Sequence, residues 1–305
     1  MPRQIGGFRA SLEYLPVAAL VRMFAAMPLA SAVKLGGLLG AMIMRMDFGN
    51  RSIATRNLEI AFPNLSADAR LKILADMYRN WGRVLGEWPH AGELNRANIE
   101  NYVTYDGVEN LQQALSIADG RAVIVTAHYG NIELLPLAHT IYGYQLAMVH
   151  RPLRNPLIDQ QIGRVRASFG AELIPRKEAG LAVVRYLRRK YQVAIALDLD
   201  VRKGVFVDFF GMKACTSDGL ARIAMATRSP VVPAFMVRED GSVRHRITVL
   251  PVVEMVTGRD REECVRENTQ RMTAAIELMV RRHPEHWNWI HRRWKTRPEG
   301  EQRFY

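Results

Sequence analysis

The chain has few cysteines and fewer acids than bases, and each shortage narrows its reading. Two cysteines, Cys215 and Cys264, leave neither a disulfide framework nor a four-cysteine zinc site. They read as unpaired structural thiols, and the composition fits a reducing, intracellular compartment. With 30 acidic residues against 42 basic ones the formal net charge is +12, which favours anionic partners such as phosphorylated lipids, nucleic acids or acidic proteins. Repeats, low-complexity tracts and Pro/Gly/Ser-rich linkers are absent. The 49% apolar content excludes general disorder and predicts a sizeable core in 305 residues.

Long uncharged runs are also missing. Leu15 to Met44 is apolar but interrupted by Arg22 and Lys34 and by Pro16 and Pro28, and its longest uncharged stretch is eleven residues. A spanning helix needs about 20 predominantly apolar residues, so this segment fits a helix or helical hairpin at a bilayer surface, with Arg22 and Lys34 snorkelling. A buried helical pair is the alternative. A secretory signal, suggested by Ala30-Ser31-Ala32, is spoiled by Glu13 and Arg22. We therefore expect residues 1–50 to form an amino-terminal anchor or interfacial helices and residues 51–305 to form the functional domain.

From Arg51 to Gly92 apolar residues recur at helical spacing, with Pro63-Asn64-Leu65-Ser66 as punctuation and Ser66 placed to cap the next helix. Beyond residue 100, β-rich runs appear at 122–127, 145–150, 193–198, 231–237 and 246–250. Between them lie helix-length segments such as 156–169 and 178–190. The alternation predicts an α/β fold whose sheet is flanked by helices.

The stretch Ala122-Val-Ile-Val-Thr-Ala-His128-Tyr-Gly-Asn-Ile-Glu133 carries the most chemistry. A strand ends at His128, Gly130 permits a sharp turn, Asn131 can cap a helix and Glu133 falls in its first turn. The imidazole then sits at a strand's carboxyl edge, the usual ligand crevice of open α/β sheets. Across such a turn Glu133 can reach back to one ring nitrogen, fixing the tautomer while the other nitrogen takes a proton from an attacking hydroxyl. An ordinary strand-end histidine beside a first-turn glutamate has the same spacing.

This His-x4-Glu pattern resembles the motif of the glycerolipid acyltransferase superfamily. Its setting, His-Tyr-Gly-Asn-Ile-Glu, is similar to that of the lipid A late acyltransferases of Gram-negative bacteria. The likeness continues in order through Arg151-Pro152-x-x-Asn155-Pro156-x-x-Asp159, Gly163-Arg164-x-Arg166 and Asp198-x-Asp200. It goes on through the Gly204 to Gly211 segment, Thr216-x-x-Gly219, Pro230-Val-Val-Pro233 and His286-Trp-x-Trp-x-His291-Arg-Arg-Trp-Lys-Thr-Arg-Pro298. The family's commonest wording has Phe and Trp where Tyr129 and Ile132 stand. A branch acting on mannosylated phosphoinositides usually carries Asp in place of Glu133, which favours the lipid A branch.

The resemblance implies a mixed sheet flanked by helices and transfer of a fatty acyl group from acyl carrier protein to a hydroxyl of a lipid A precursor. The setting would be the cytoplasmic face of the inner membrane, with no metal, no organic cofactor and no nucleic acid. It makes His128 and Glu133 catalytic and Arg151, Asn155, Arg164 and Asp198 substrate-binding, with Arg166 and Asp200 as neighbouring alternatives to the last two. A direct transfer is expected, because no Gly-x-Ser-x-Gly nucleophile elbow is present. Another glycolipid or lysophospholipid acceptor, or a lipid hydrolase or thioesterase, is the alternative activity.

Between Arg151 and Lys203, twelve Arg or Lys against five acids give +7, suited to an acidic carrier or a phosphorylated glycolipid. Within it, Arg185-Arg188-Arg189-Lys190 reads as a solvated helix face. The tail from Arg281 to Arg297 interleaves six bases with Trp287, Trp289 and Trp294, a pattern that fits stacking on single-stranded nucleic acid, a headgroup belt or a cleft wall. His286 and His291 lack the partners of a metal site. Phe206, Phe209 and Phe210 suit an acyl tunnel or a strand pair with core aromatics.

Overall fold

Two apolar runs define the middle of the molecule. Strands β2 (Ala122–Thr126) and β8 (Val231–Arg238) are buried at every position, the signature of central strands covered on both faces. The computed structural model describes residues 7–168, 170–240 and 242–305. In it these strands join β1 (Val103–Asp106), β3 (Leu146–His150), β4 (Glu172–Pro175), β5 (Gln192–Ala196) and β9 (His245–Val249). The seven-stranded sheet runs β1-β9-β8-β2-β5-β3-β4, antiparallel only between β8 and β9 and therefore mixed.

One face of the sheet packs a core that includes Tyr78, Val183, Leu220 and Ile276; these side chains come from α4 (Ala67–Glu87), α8 (Ala179–Arg188), α9 (Gly219–Thr227) and α10 (Arg261–Arg282). The other face packs Leu111 and Ala114 of α5 (Val108–Ile117) and Leu134, Leu135 and Leu137 of α6 (Leu134–Ile141). As expected, Ser66 caps α4, its hydroxyl accepting the Ala69 N–H at 3.1 Å. The edge strands β1 and β4, four residues each and only partly buried, lack the long apolar run that marks β2.

The amino-terminal segment is a helical hairpin, α1 (Gly7–Ala25) and α2 (Leu29–Met46), broken at Pro28. Helix α2 lies on α4 with Gly36 and Gly40 against Gly82 and Gly86. A Cβ at any of the four would collide with backbone of the facing helix. Small residues at this spacing let two helix backbones approach closely. The opposite side of the hairpin leaves Phe8, Leu12, Leu15, Leu38, Met42, Ile43 and Met46 exposed. By length and composition alone α2 can cross a membrane, and a third of it (33%) is buried in the fold.

Strands β6 (Val205–Phe209) and β7 (Met212–Thr216) form a separate hairpin beside α10. Phe209 and Phe210 are core residues there, Phe209 packing edge-on against Trp287, so of the two readings the strand pair with core aromatics is the one observed. The carboxyl-terminal tail corrects its sequence reading. Trp287, Trp289, Trp294 and Arg293 are all 0% exposed, so these residues offer no stacking platform, headgroup belt or cleft wall. Cys215 and Cys264 are buried and unpaired.

Candidate active site

Parallel pairing of β2 with β5 sets the central geometry. The register matches Thr126 with Ala196, and the Leu197 N–H continues the ladder to the Thr126 carbonyl at 3.0 Å. Two residues further on, His128 and Asp198 therefore leave adjacent carboxyl ends side by side. His128 Nδ1 donates to Asp198 Oδ1 at 2.9 Å, and the His128 backbone N–H donates to Asp198 Oδ2 at 2.9 Å. The Trp287 indole N–H adds a third donor to Oδ2 at 2.9 Å. Asp198 is 2% exposed, whereas the His128 side chain is 36% exposed.

This corrects two expectations. The carboxylate that orients the imidazole is that of Asp198, expected among substrate contacts, and not that of Glu133. Burial pushes the Asp198 carboxyl up, but the His128 ring, the His128 N–H and the indole N–H outweigh it and hold the group at about 2. Burial likewise disfavours a charged His128, yet Asp198 and, more weakly, Glu133 raise its pKa above the ordinary imidazole value. With Nδ1 committed to a carboxylate, Nε2 carries the free lone pair, and among the described residues it has no protein partner.

The turn after His128 is held from two sides. Gly130 has φ +57°, and a Cβ there would strike the Met236 carbonyl, so only glycine fits. Its N–H donates to the His286 carbonyl at 2.8 Å and the Asn288 N–H donates to the His128 carbonyl at 3.1 Å, which staples the turn to the Trp287 segment. Tyr129 points into the core, its hydroxyl donating to the Met279 carbonyl at 3.1 Å and its ring stacked on His286. Asn131 caps α6 as expected, its Oδ1 accepting the Leu134 N–H at 3.1 Å.

Glu133, just before α6, forms a two-point ion pair with Arg166 of α7 (Pro156–Ser168), the guanidinium Nε lying 2.7 Å from Oε2 and Nη2 bonding Oε1. Of the two neighbouring arginines, Arg164 is exposed and Arg166 is the one in contact with Glu133. Glu133 and Arg166 line a cleft open to solvent, walled by Leu29, Trp88, Leu94, Leu134, Leu137 and Val165. His150, at the end of β3, completes the group: burial and nearby Arg166 lower its pKa.

The remaining expected residues divide. Arg151 is exposed in the loop after β3. Asn155 is buried and used structurally, its amide donating to the Ala10 carbonyl of α1 at 2.9 Å while its Oδ1 accepts the Leu157 N–H at 3.0 Å. It therefore serves as a cap and a tie to α1. Asp200 latches the tail, accepting from the backbone N–H and the hydroxyl of Thr296, both at 3.0 Å. His286 donates from Nδ1 to Glu285 and accepts the Arg238 N–H at Nε2, which leaves no lone pair for a metal. His291 Nε2 is likewise occupied, accepting the Asp200 N–H at 2.8 Å.

A partly exposed imidazole with a buried carboxylate behind it, at the carboxyl edge of a mixed α/β sheet, is the arrangement of a general-base site, and Glu133, whose charge reaches that ring, lines a mainly apolar cleft. Residues 8–296 match the family described as bacterial lipid A biosynthesis acyltransferase. The chain belongs to this family and is an acyltransferase. It is 30% identical to the lipid A biosynthesis lauroyltransferase of Escherichia coli (strain K12) over 277 residues, 88% of this chain and 86% of that protein. To the palmitoleoyltransferase of the same organism it is 29% identical over 276 residues, 89% and 87% of the two chains. A lipid A biosynthesis acyltransferase of Haemophilus influenzae is 25% identical over 272 residues, 88% and 83%.

Proposed function

We propose that the protein transfers a fatty acyl chain from an acyl carrier protein thioester to a hydroxyl of a lipid A precursor, with His128 as general base. The observation that carries this reading is the Asp198–His128 bond, which holds the proton of the neutral ring on Nδ1 and leaves the lone pair on Nε2 of a partly exposed side chain. Nε2 takes the hydroxyl proton as the oxygen attacks the thioester carbonyl, and the tetrahedral adduct collapses with departure of the thiolate. The imidazolium, stabilised by Asp198, returns its proton to that sulfur. General-base help of this kind is worth roughly 10²–10⁴ in rate. Glu133 adds negative charge near the ring and, through Arg166, fixes the cleft wall.

The cleft suits an acyl chain, since each buried methylene contributes about 0.8 kcal/mol. Anionic partners meet Arg151, Arg154, Arg176, Lys177, Arg202 and Lys203, exposed in segments leaving the carboxyl ends of β3, β4 and β5, the edge where His128 sits. Arg185, Arg188, Arg189 and Lys190 close α8 before β5 begins, at the opposite edge, where Lys190 pairs with Asp119. The exposed apolar side of α1 and α2 would rest on the cytoplasmic surface of the inner membrane and bring the site to a lipid acceptor.

The test supplies acyl carrier thioester with and without the hydroxylated lipid and follows both products by mass spectrometry. We expect acceptor-dependent gain of one acyl chain, lost in His128→Ala while the fold persists. Rapid acid release without acceptor would make the protein a thioesterase. Undiminished transfer by the variant would remove His128 from the mechanism.

A further inference from the structure

Behind the turn, on the side away from Asp198, lies a second buried carboxylate that the chemistry above does not use. Glu87, the last residue of α4, is 8% exposed and gathers three side chains from distant parts of the chain. Arg238, at the end of β8, forms a two-point ion pair with it, its NH2 lying 2.9 Å from Oε2 and its NH1 bonding Oε1. His245, at the start of β9, donates from Nε2 to Oε1 at 3.0 Å. Asn131 of the turn donates from Nδ2 to Oε2 at 2.8 Å. Glu87, Asn131 and His245 all line the cleft.

The last bond decides the direction of the Asn131 amide. Because a carboxylate only accepts, the NH2 group must face Glu87, and the carbonyl oxygen is thereby aimed at the Leu134 N–H that it caps. The residue just before that helix is Glu133. Arg238 grips the same turn from its other flank: its backbone N–H donates to His286 Nε2 at 3.0 Å, and the His286 carbonyl accepts the Gly130 N–H at 2.8 Å. The Glu87 cluster thus meets the segment between His128 and Glu133 at Asn131 by a side-chain bond and at Gly130 by way of the Arg238 backbone and His286.

A buried pair of this kind needs a reason other than stability, because apolar residues of similar volume often serve a core as well or better. We infer that Glu87, acting through Asn131 and Arg238, is a positioning residue that sets His128 and Glu133 relative to the cleft. The inference rests on the acyl-transfer reading above, and it fails separately from it, since the wild-type enzyme would still transfer acyl groups if Glu87 did nothing for the rate.

The experiment is a double-mutant cycle on the full-length enzyme. Asn131→Asp keeps the helix cap but sets two carboxylates against each other, and Glu87→Gln removes the charge. Each lowers kcat by about 100-fold, the cost of roughly an ångström of misplacement, with KM for donor and acceptor changed less than twofold. Combined, the substitutions exchange donor and acceptor between positions 87 and 131 and keep one negative charge in the cluster, so kcat recovers at least tenfold over either single variant. Should Glu87→Gln fail to fold, Asn131→Ala, which leaves the Glu87–Arg238 pair whole, shows the same kcat loss at unchanged KM. Normal kcat in Asn131→Ala or Asn131→Asp, or a double variant no better than its parents, would overturn the inference.

Discussion

Two carboxylates flank the turn that follows His128, and they are held in contrasting ways. Asp198 is enclosed and receives an imidazole N–H, a backbone N–H and an indole N–H, none of them a permanent cation. Glu133 is partly exposed, faces the cleft and is neutralised by the Arg166 guanidinium. Buried Arg293 interacts electrostatically with Asp198, but the groups bonded to that carboxylate are neutral until its histidine is protonated, so in the proposed mechanism Asp198 gains directly when His128 takes the proton. A carboxylate already paired with arginine changes little during that step and serves instead to fix a wall.

The largest effect expected from this contrast is at Asp198. Asp198→Asn keeps the shape but presents a side chain that no longer demands Nδ1–H, and kcat falls by about 10⁴, the scale seen when a catalytic histidine adopts the wrong tautomer. Steady-state kinetics at saturating donor and acceptor would measure it, and a loss under tenfold would erase the distinction. Glu133→Gln comes next. It leaves the Asp198–His128 bond intact but weakens the grip of Arg166, and kcat falls by about 10² through misplacement. A greater loss here than at Asp198 would reverse the comparison.

Trp287→Phe is the finest probe, since it removes one donor from Asp198 while Phe fills most of the indole's space. A hydrogen bond to a charged group is worth about 1.5–3 kcal/mol, part of which is lost in the transition state, so kcat falls by roughly tenfold. The pH dependence sharpens the same point. As the proposed base His128 must be neutral, and its pKa is raised above 6.5, so kcat/KM is expected to decline as the pH is lowered through a midpoint above that value. Asp198→Asn removes the main raising influence and moves the midpoint down; Glu133→Gln moves it less.

Much of this arrangement was legible before the fold was known, and the part that was not has a definite cause. The β-runs ending near His128 and Asp198, the turn at Gly130 and the cap at Asn131 follow from local sequence, because each depends on neighbours within a few residues. Pairing of β2 with β5 does not, since 70 positions separate His128 from Asp198. Glu133, five residues away, was the nearer candidate. The available signal was that both residues end strand-like runs: if such strands are parallel neighbours, their carboxyl ends coincide. Arg166 was separable from Arg164 only once the direction of α7 across the cleft was set. The tail misled for a related reason, because alternating Trp and Arg describe composition and not which residues the β6–β7 hairpin covers. Asn155 was assigned by pattern alone, and its packing against Ala10 of α1 joins positions 145 apart.

The central claim is that Asp198 fixes the His128 ring with Nδ1 protonated and Nε2 free. It is tested most directly by the ¹⁵N resonances of that ring across pH in the wild type, Asp198→Asn and Glu133→Gln. We predict the Nδ1–H tautomer at high pH and a titration midpoint above 6.5 in the wild type and in Glu133→Gln, with the tautomer lost and the midpoint lowered in Asp198→Asn. An Nε2–H tautomer in the wild type, or a ring that responds to Glu133→Gln and ignores Asp198→Asn, would contradict it.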